Sequence, residues 1–296
     1  SSARVAARIA AETRAWDVPV EKILSDHDVL LMGENHGSLT SVETLARQLP
    51  RLAAAGVTVV GVEGLKRPEQ AAVDAYVSGR ANAVPFSALD FSPRRIAAFA
   101  NLFKAARDNG VRVVALGLPL EAWAEQAASL AAANTGRPER DFAGDATELM
   151  NRAQRGYVPG FNEAVAEVFL TRRNRTMAEF LTGALADGGK AVALVGQAHV
   201  AGLDMIPGRL MNAPGDWGTL PRELARRAVK AFSLTQTGGL FVDVAAATGD
   251  RLARPDSYAR AAAASPRGAQ AYVPLGPNAG LWHAGGRVGR AFARWR

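Results

Sequence analysis

Asp28-Val29-Leu30-Leu31-Met32-Gly33-Glu34-Asn35-His36-Gly37 runs four apolar residues into a glycine and then into a polar cluster. An apolar run bounded in this way fits a short strand buried on both faces, as in parallel sheets. The pattern recurs three times. Val57-Thr-Val-Val-Gly-Val62 is β-branched and leads to Glu63-Gly64. Val111-Arg-Val-Val-Ala-Leu116 leads to Gly117-Leu118-Pro119, and Ala191-Val-Ala-Leu-Val195 leads to Gly196-Gln197-Ala198-His199. Segments of helical periodicity lie at 39–55, 68–77 and 93–108, the last closed by Asn109-Gly110. Pro50 is expected to kink or divide the first of them. Strands alternating with helices predict an α/β fold, with a mostly parallel central sheet flanked by helices.

Residues 120–186 have little strand character and read as helices at about 120–133, 141–155 and 161–186. They are expected to form a helical insertion that caps the C-terminal edge of the strands. Further helices are expected at 3–16, 20–25 and 222–227. Strands at 229–234 and 240–244 flank Thr237-Gly238-Gly239, a hairpin signal. The tail at 247–296 is rich in Ala, Gly, Arg and Pro; it is expected to be largely irregular, with one strand near 271–273. No stretch of linker composition divides the 296 residues, so one domain is expected over 1–296.

Composition removes several classes of function. Apolar residues make up 48%, enough for a packed core and too many for a disordered chain. The absence of cysteine excludes disulfides, thiolate metal sites and a Cys nucleophile. The longest apolar runs have about six to eight residues, whereas a membrane-spanning helix needs about 20. The net charge of +7 comes with 30 Arg and 5 Lys, a bias in keeping with a GC-rich genome. No block of five basic residues occurs and aromatics are not interleaved with Arg, so nucleic acid is not an expected partner. The chain opens Ser-Ser rather than Met, which suits an exported protein whose upstream segment has been removed; a cytoplasmic protein is the alternative.

In an open parallel sheet, ligands bind beyond the carboxyl ends of the strands. Glu34, His36, Glu63 and His199 all fall there, whereas His27 precedes the first strand and His283 lies in the tail. A Glu after a strand is also an ordinary first-turn residue of the next helix, and a lone His is often a core histidine. Four such residues at equivalent strand ends instead suggest a polar cluster that satisfies itself. Its chemistry takes one of two forms. In the first, His36, Glu63 and His199 ligate a divalent ion (Mn, Zn or Co) that activates water. In the second, there is no metal, and Glu34 or Glu63 orients a histidine that acts as general base. Both give hydrolysis. There is no Gly-x-Ser-x-Gly elbow, Walker loop or Gly-x-Gly-x-x-Gly. Arg173, four residues before Met177 on the long helix, is the candidate anion stabiliser. The alternative for Thr171-Arg172-Arg173-Asn174-Arg175 is a solvated basic face paired with Glu163, Glu167 and Glu179.

Gly-Glu-Asn-His at 33–36, Glu63, Arg173-Asn174-Arg175-x-Met177-Ala178 and Gly196-Gln197-Ala198-His199 occur in this order over residues 33–199. The set resembles a superfamily that includes erythromycin esterases, ChaN-type haem-binding proteins, TraB and TIKI proteins, and domains of bacterial toxins and plant-pathogen effectors. The spacing at 33–37 is closer to the ChaN and TIKI/TraB branches than to the esterases. The resemblance implies a hydrolase, esterase-like or metalloprotease-like, acting on a small molecule or peptide. It also suggests a secreted virulence effector with a host-cell target. The alternative is a non-catalytic haem- or anion-binding protein of the ChaN type. The resemblance makes tyrosine the haem ligand, but Tyr76, Tyr157, Tyr258 and Tyr272 lie in none of these motifs, so haem ranks behind a divalent ion.

Overall fold

Valine, leucine and alanine dominate the strands because both faces of the sheet are covered. The computed structural model describes residues 14–15, 20–34, 39–82, 93–201, 217–237, 240–243 and 271–273. Its strands are β1 (Arg14–Ala15), β2 (Val29–Glu34), β3 (Val57–Lys66), β4 (Arg112–Gly117), β5 (Lys190–Gly196), β6 (Ala231–Thr237), β7 (Leu240–Asp243) and β8 (Ala271–Val273). They form one sheet in the order β1-β8-β7-β6-β2-β5-β3-β4. The five strands β6-β2-β5-β3-β4 are mutually parallel. On the far side of β6 the direction changes: β7 runs antiparallel to β6, β8 parallel to β7, and β1 antiparallel to β8. The fold is α/β, as expected.

Helices α1 (Val20–Asp26), α2 (Thr40–Ala54), α3 (Gln70–Val77) and α4 (Pro93–Asp108) cover one face. Val42, Leu45, Leu49 and Leu52 recur at helical spacing along α2 and are buried, while Arg47 and Arg51 face outward. Pro50 does not divide this helix, which runs on through it to Ala54. Between β4 and β5 come α5 (Leu120–Thr135), α6 (Ala146–Arg155), α7 (Phe161–Ala166) and α8 (Arg173–Ala184), with a π-helical stretch at Glu167–Arg172 joining the last two. The first three build their own core around Trp123, Phe142, Phe161 and Phe169, with Phe142 stacked on Phe161 at 5.6 Å. α8 does more than cap the strand ends. Its Met177, Ala178 and Leu181 pack on the second face of the sheet, together with Leu220 and Leu224 of α10 (Leu220–Ala225). The short α9 (Gln197–Ala201) follows β5 directly.

Alternation along the strands assigns each residue to a face. Leu30 and Met32 of β2 join the α2–α4 side, and Val29 and Leu31 join the α8–α10 side. Gly61 of β3 lies against α8, so close that a Cβ there would stand 2.9 Å from Leu181 Cδ2.

Two expectations need correction. Residues 14–15 belong to a strand paired with β8, not to a helix; the remainder of the helix expected at 3–16 lies outside the described residues. Glu63 is not beyond its strand either, because β3 continues to Lys66. Val62 pairs with Ala115 and Lys66 with Gly117, so four steps along β3 match two along β4. This irregularity is a bulge, and Glu63 stands in it. The hairpin is present, with Thr237 opposite Leu240. The strand at Ala271–Val273 is present too, within the tail expected to be largely irregular.

Candidate functional site

The chain leaves β2 toward β3 on one side and leaves β5 toward β6 on the other, while β2 and β5 are themselves neighbours. Such a reversal opens a crevice at the carboxyl ends of the two strands. Glu34 and Gly196, the last residues of β2 and β5, are register partners there. Glu63 reaches the same point from β3: its Oε2 accepts a hydrogen bond from the Gly196 N–H at 2.5 Å.

Glu63 is the hub of the cluster. It is 3% exposed. Its Oε1 accepts from Arg173 Nη2 at 2.6 Å and lies 3.1 Å from His199 Nε2. The other ring nitrogen of His199, Nδ1, stands 2.7 Å from Asn174 Oδ1, and Asn174 Nδ2 donates to the Gly218 carbonyl at 2.6 Å. His199 and Asn174 are both buried. Glu34 forms a second buried ion pair, with Arg95 Nη2 at 2.7 Å. The two arginines arrive from opposite faces, Arg95 from the first turn of α4 and Arg173 from the start of α8. Strand alternation dictates this. Glu34 shares the side of Leu30 and Met32, and Glu63 that of Val59 and Gly61.

Lys66 closes β3 at the same edge. Its stem lies over Gly117, where a Cβ would meet Lys66 Cδ at 3.2 Å. Burial first, then the Arg173 charge, push its ammonium below the ordinary lysine value, against the pull of Glu63, Glu69 and Glu121.

Glu34, Glu63, Arg173 and His199 thus collect at one edge, and His36 lies outside the described residues. The other two arginines of the basic stretch, Arg172 and Arg175, lie nearer the surface. Arg172 pairs with Glu167, and Glu179 pairs with Arg227. The residues not anticipated are Arg95, Asn174 and the Gly196 N–H. Asn174 stood beside Arg173 in the motif, a usable signal. Nothing in the sequence separates Arg95 from Arg94.

His199 Nε2 and Glu63 Oε1 stand at about the separation of two ligands on one tetrahedral ion. Glu63 Oε1 already meets Arg173, however, and the described residues contain no group of three His, Asp or Glu that would hold an ion. The described part of the donor set therefore does not fit a divalent metal by itself. The two tyrosines whose side chains are described, Tyr76 and Tyr157, are engaged elsewhere. Tyr76 is buried against α4 under Arg107, and Tyr157 donates to Glu163 on the insertion.

Residues 20–210 match the family described as haem-binding uptake, Tiki superfamily, ChaN. The chain belongs to this family. All five expected site residues fall inside the matched stretch of this ChaN/Tiki protein. No curated protein matches it. Among solved structures, a Bacillus cereus protein has a TM-score of 0.50 at 13% identity, over 80% of this chain and 75% of that one. RRSP, a MARTX toxin effector domain from Vibrio vulnificus, has 24% identity and a TM-score of 0.44. This chain is covered over 77% in that match but spans only 37% of the Vibrio chain. ChaN of Campylobacter jejuni, described with cofacial haem, has 14% identity and a TM-score of 0.47, over 74% of this chain and 85% of that one. The Bacillus likeness supports the fold alone.

Proposed function

We propose that this ChaN/Tiki protein is a hydrolase that activates water at the His199–Glu63 pair. The observation that supports the reading is the placement of a buried carboxylate against a buried imidazole and a guanidinium at the crevice between β2 and β5. Burying these charges in one place costs stability that apolar residues would not cost, and such costs concentrate at functional sites. His199 accepts the water proton at Nε2, and the imidazolium so formed is held by Glu63 Oε1. The hydroxide attacks the substrate carbonyl or phosphoryl centre, and the same N–H returns the proton to the leaving group. Arg173, beside the reacting atoms, offsets negative charge that develops on the substrate.

The test is a panel of p-nitrophenyl esters, p-nitrophenyl phosphate and fluorogenic peptides, run with and without a chelator. Glu63→Gln and His199→Asn accompany the parent protein, and each variant is checked for cooperative melting. At least one class should be turned over, with kcat/KM lower by about 100-fold or more in both variants. Equal turnover in folded His199→Asn rejects His199 as the base, and loss on chelation moves the mechanism to a metal. The family description keeps one competing reading in view. A Soret band on haemin titration, abolished by Tyr258→Phe or Tyr272→Phe, would replace hydrolysis by haem binding.

A further inference from the structure

The side-chain amide of Asn174 meets His199 at one end and the Gly218 carbonyl at the other, and the residue is 1% exposed. Nδ2 is the only nitrogen of that amide, and it donates to the Gly218 carbonyl, which accepts and never donates. The amide orientation is thereby fixed, and Oδ1 is left to face His199. An amide oxygen accepts only, so His199 Nδ1 must carry a hydrogen. Nε2 is then the nitrogen that gains or loses a proton.

The support continues outward. Gly218 precedes α10 and is packed closely: a Cβ there would stand 3.1 Å from Glu223 Oε1 and 3.6 Å from Thr171 Cγ2. Glu223 is itself 1% exposed, and Arg226 and Arg227, just past the end of the same helix, neutralise it. A buried carboxylate that no reaction step uses thus packs against the corner that carries the Gly218 carbonyl. Thr171 lies in the π-helical stretch just before Arg173, so the same corner also abuts the segment that delivers Arg173 and Asn174.

We infer that Asn174 is a positioning residue that fixes His199 with hydrogen on Nδ1, and that the Gly218–Glu223 corner of α10 is what holds Asn174 in place. The inference rests on the proposed role of His199 for its functional consequence, but not for its structural content. Without Asn174, Nδ1 loses its acceptor and Glu63 Oε1 is the one left beside the ring among the described residues. A neutral imidazole then places its one hydrogen on Nε2, toward Glu63 Oε1, and the base is lost.

The test reads the tautomer directly, by long-range 1H–15N correlation of the ring nitrogens. The signal of His199 is identified among the four histidines by its absence in His199→Asn. The parent protein and Asn174→Asp, which keeps an acceptor, should show hydrogen on Nδ1. Asn174→Leu should show a neutral ring with hydrogen on Nε2. Gly218→Ala, which pushes the corner outward, should move the signal in the same direction and serves if Asn174→Leu does not fold. On a turned-over substrate, kcat of Asn174→Leu should fall about 10- to 100-fold at little change in KM, with recovery in Asn174→Asp. A parent ring bearing hydrogen on Nε2 alone overturns the inference, as does an Nδ1–H that persists in both folded Asn174→Leu and Gly218→Ala. Correct tautomers without turnover of any substrate would reject the hydrolase reading and leave this inference standing.

Discussion

Gly117→Ala is expected to be the most informative single methyl addition in this protein. Gly117 ends β4 beneath the β3 bulge, and an ideal Cβ there would stand 2.6 Å from the Glu63 carbonyl oxygen and 2.8 Å from that of Leu65. Neither atom can rotate away, since both belong to the main chain. Relief requires the end of β3 to lift from β4 by about half an ångström, toward ordinary carbon–oxygen contact. Overpacking of this kind costs about 1–3 kcal/mol. Backbone opposition places Gly117→Ala toward the upper end, at about 2–3 kcal/mol. Gly61→Ala is the matched comparison. It lies in the same strand pair, but its Cβ meets Leu116 Cδ1 at 2.8 Å and Leu181 Cδ2 at 2.9 Å, the far ends of two side chains. Rotamer adjustment should hold its cost to about 1 kcal/mol. Urea unfolding followed by circular dichroism measures both, provided the m-values agree with that of the parent. Gly117→Ala should also lose any Glu63-dependent turnover, because Glu63 sits in the bulge that must move. A Gly117→Ala cost below about 0.5 kcal/mol, or below that of Gly61→Ala, would refute the account of the bulge.

Two further outcomes follow from charges at the same edge. Lys66 is held below the ordinary lysine value by burial and Arg173, so between its folded value and about pH 10.4 the unfolded chain binds more protons. Parent stability should therefore gain from Lys66 as pH rises through that window. Lys66→Met should be the more stable protein at neutral pH, with the gap narrowing toward pH 10; a gap that widens contradicts the assignment. Breaking the Glu34–Arg95 pair by Arg95→Met should cost about 3–5 kcal/mol, and adding Glu34→Met should recover part of it. Thermal melts of the single and double variants decide this, and a double variant less stable than Arg95→Met alone would argue against a desolvated pair.

The legible parts of the fold were those fixed by local pattern. The helix at Pro93–Asp108 has the bounds its proline start and Asn109-Gly110 stop indicate. The four apolar runs are parallel strands, interrupted only near their starts by Thr58 and Arg112, both exposed. What stayed hidden depends on partners distant in sequence. Arg14–Ala15 has helical composition around it but pairs with β8, more than 250 residues on. The β3 bulge arises because Gly117 lets the main chain approach, a fact about β4 and not about β3. Pro50 leaves α2 whole, since its neighbours Leu49 and Leu52 are buried and hold the last turn on the sheet. At the site, residue types at strand ends indicated Glu34, Glu63 and His199. Of the partners that complete them, Arg95 comes from a helix whose approach no local signal encodes, Asn174 is marked only by its place beside Arg173, and the main-chain N–H belongs to the end of β5.

Strand parity nonetheless carries the reason why two separate arginines are needed. Glu34 lies an even number of steps from Leu30 and Met32, so its carboxylate emerges toward α4, whereas Glu63 keeps the parity of Val59 and emerges toward α8. One arginine cannot serve both sides of a sheet. Each helix therefore supplies its own, Arg95 at 2.7 Å and Arg173 at 2.6 Å, and the two ion pairs flank the end of β5 from opposite faces. Only Glu63 also reaches across to β5, through the Gly196 N–H, and only Glu63 touches a histidine among the described residues. The two ion pairs are thus unequal. Among the described residues, Glu63–Arg173 is continued by a group able to exchange a proton, which is why the reaction is assigned to the α8 side of the crevice.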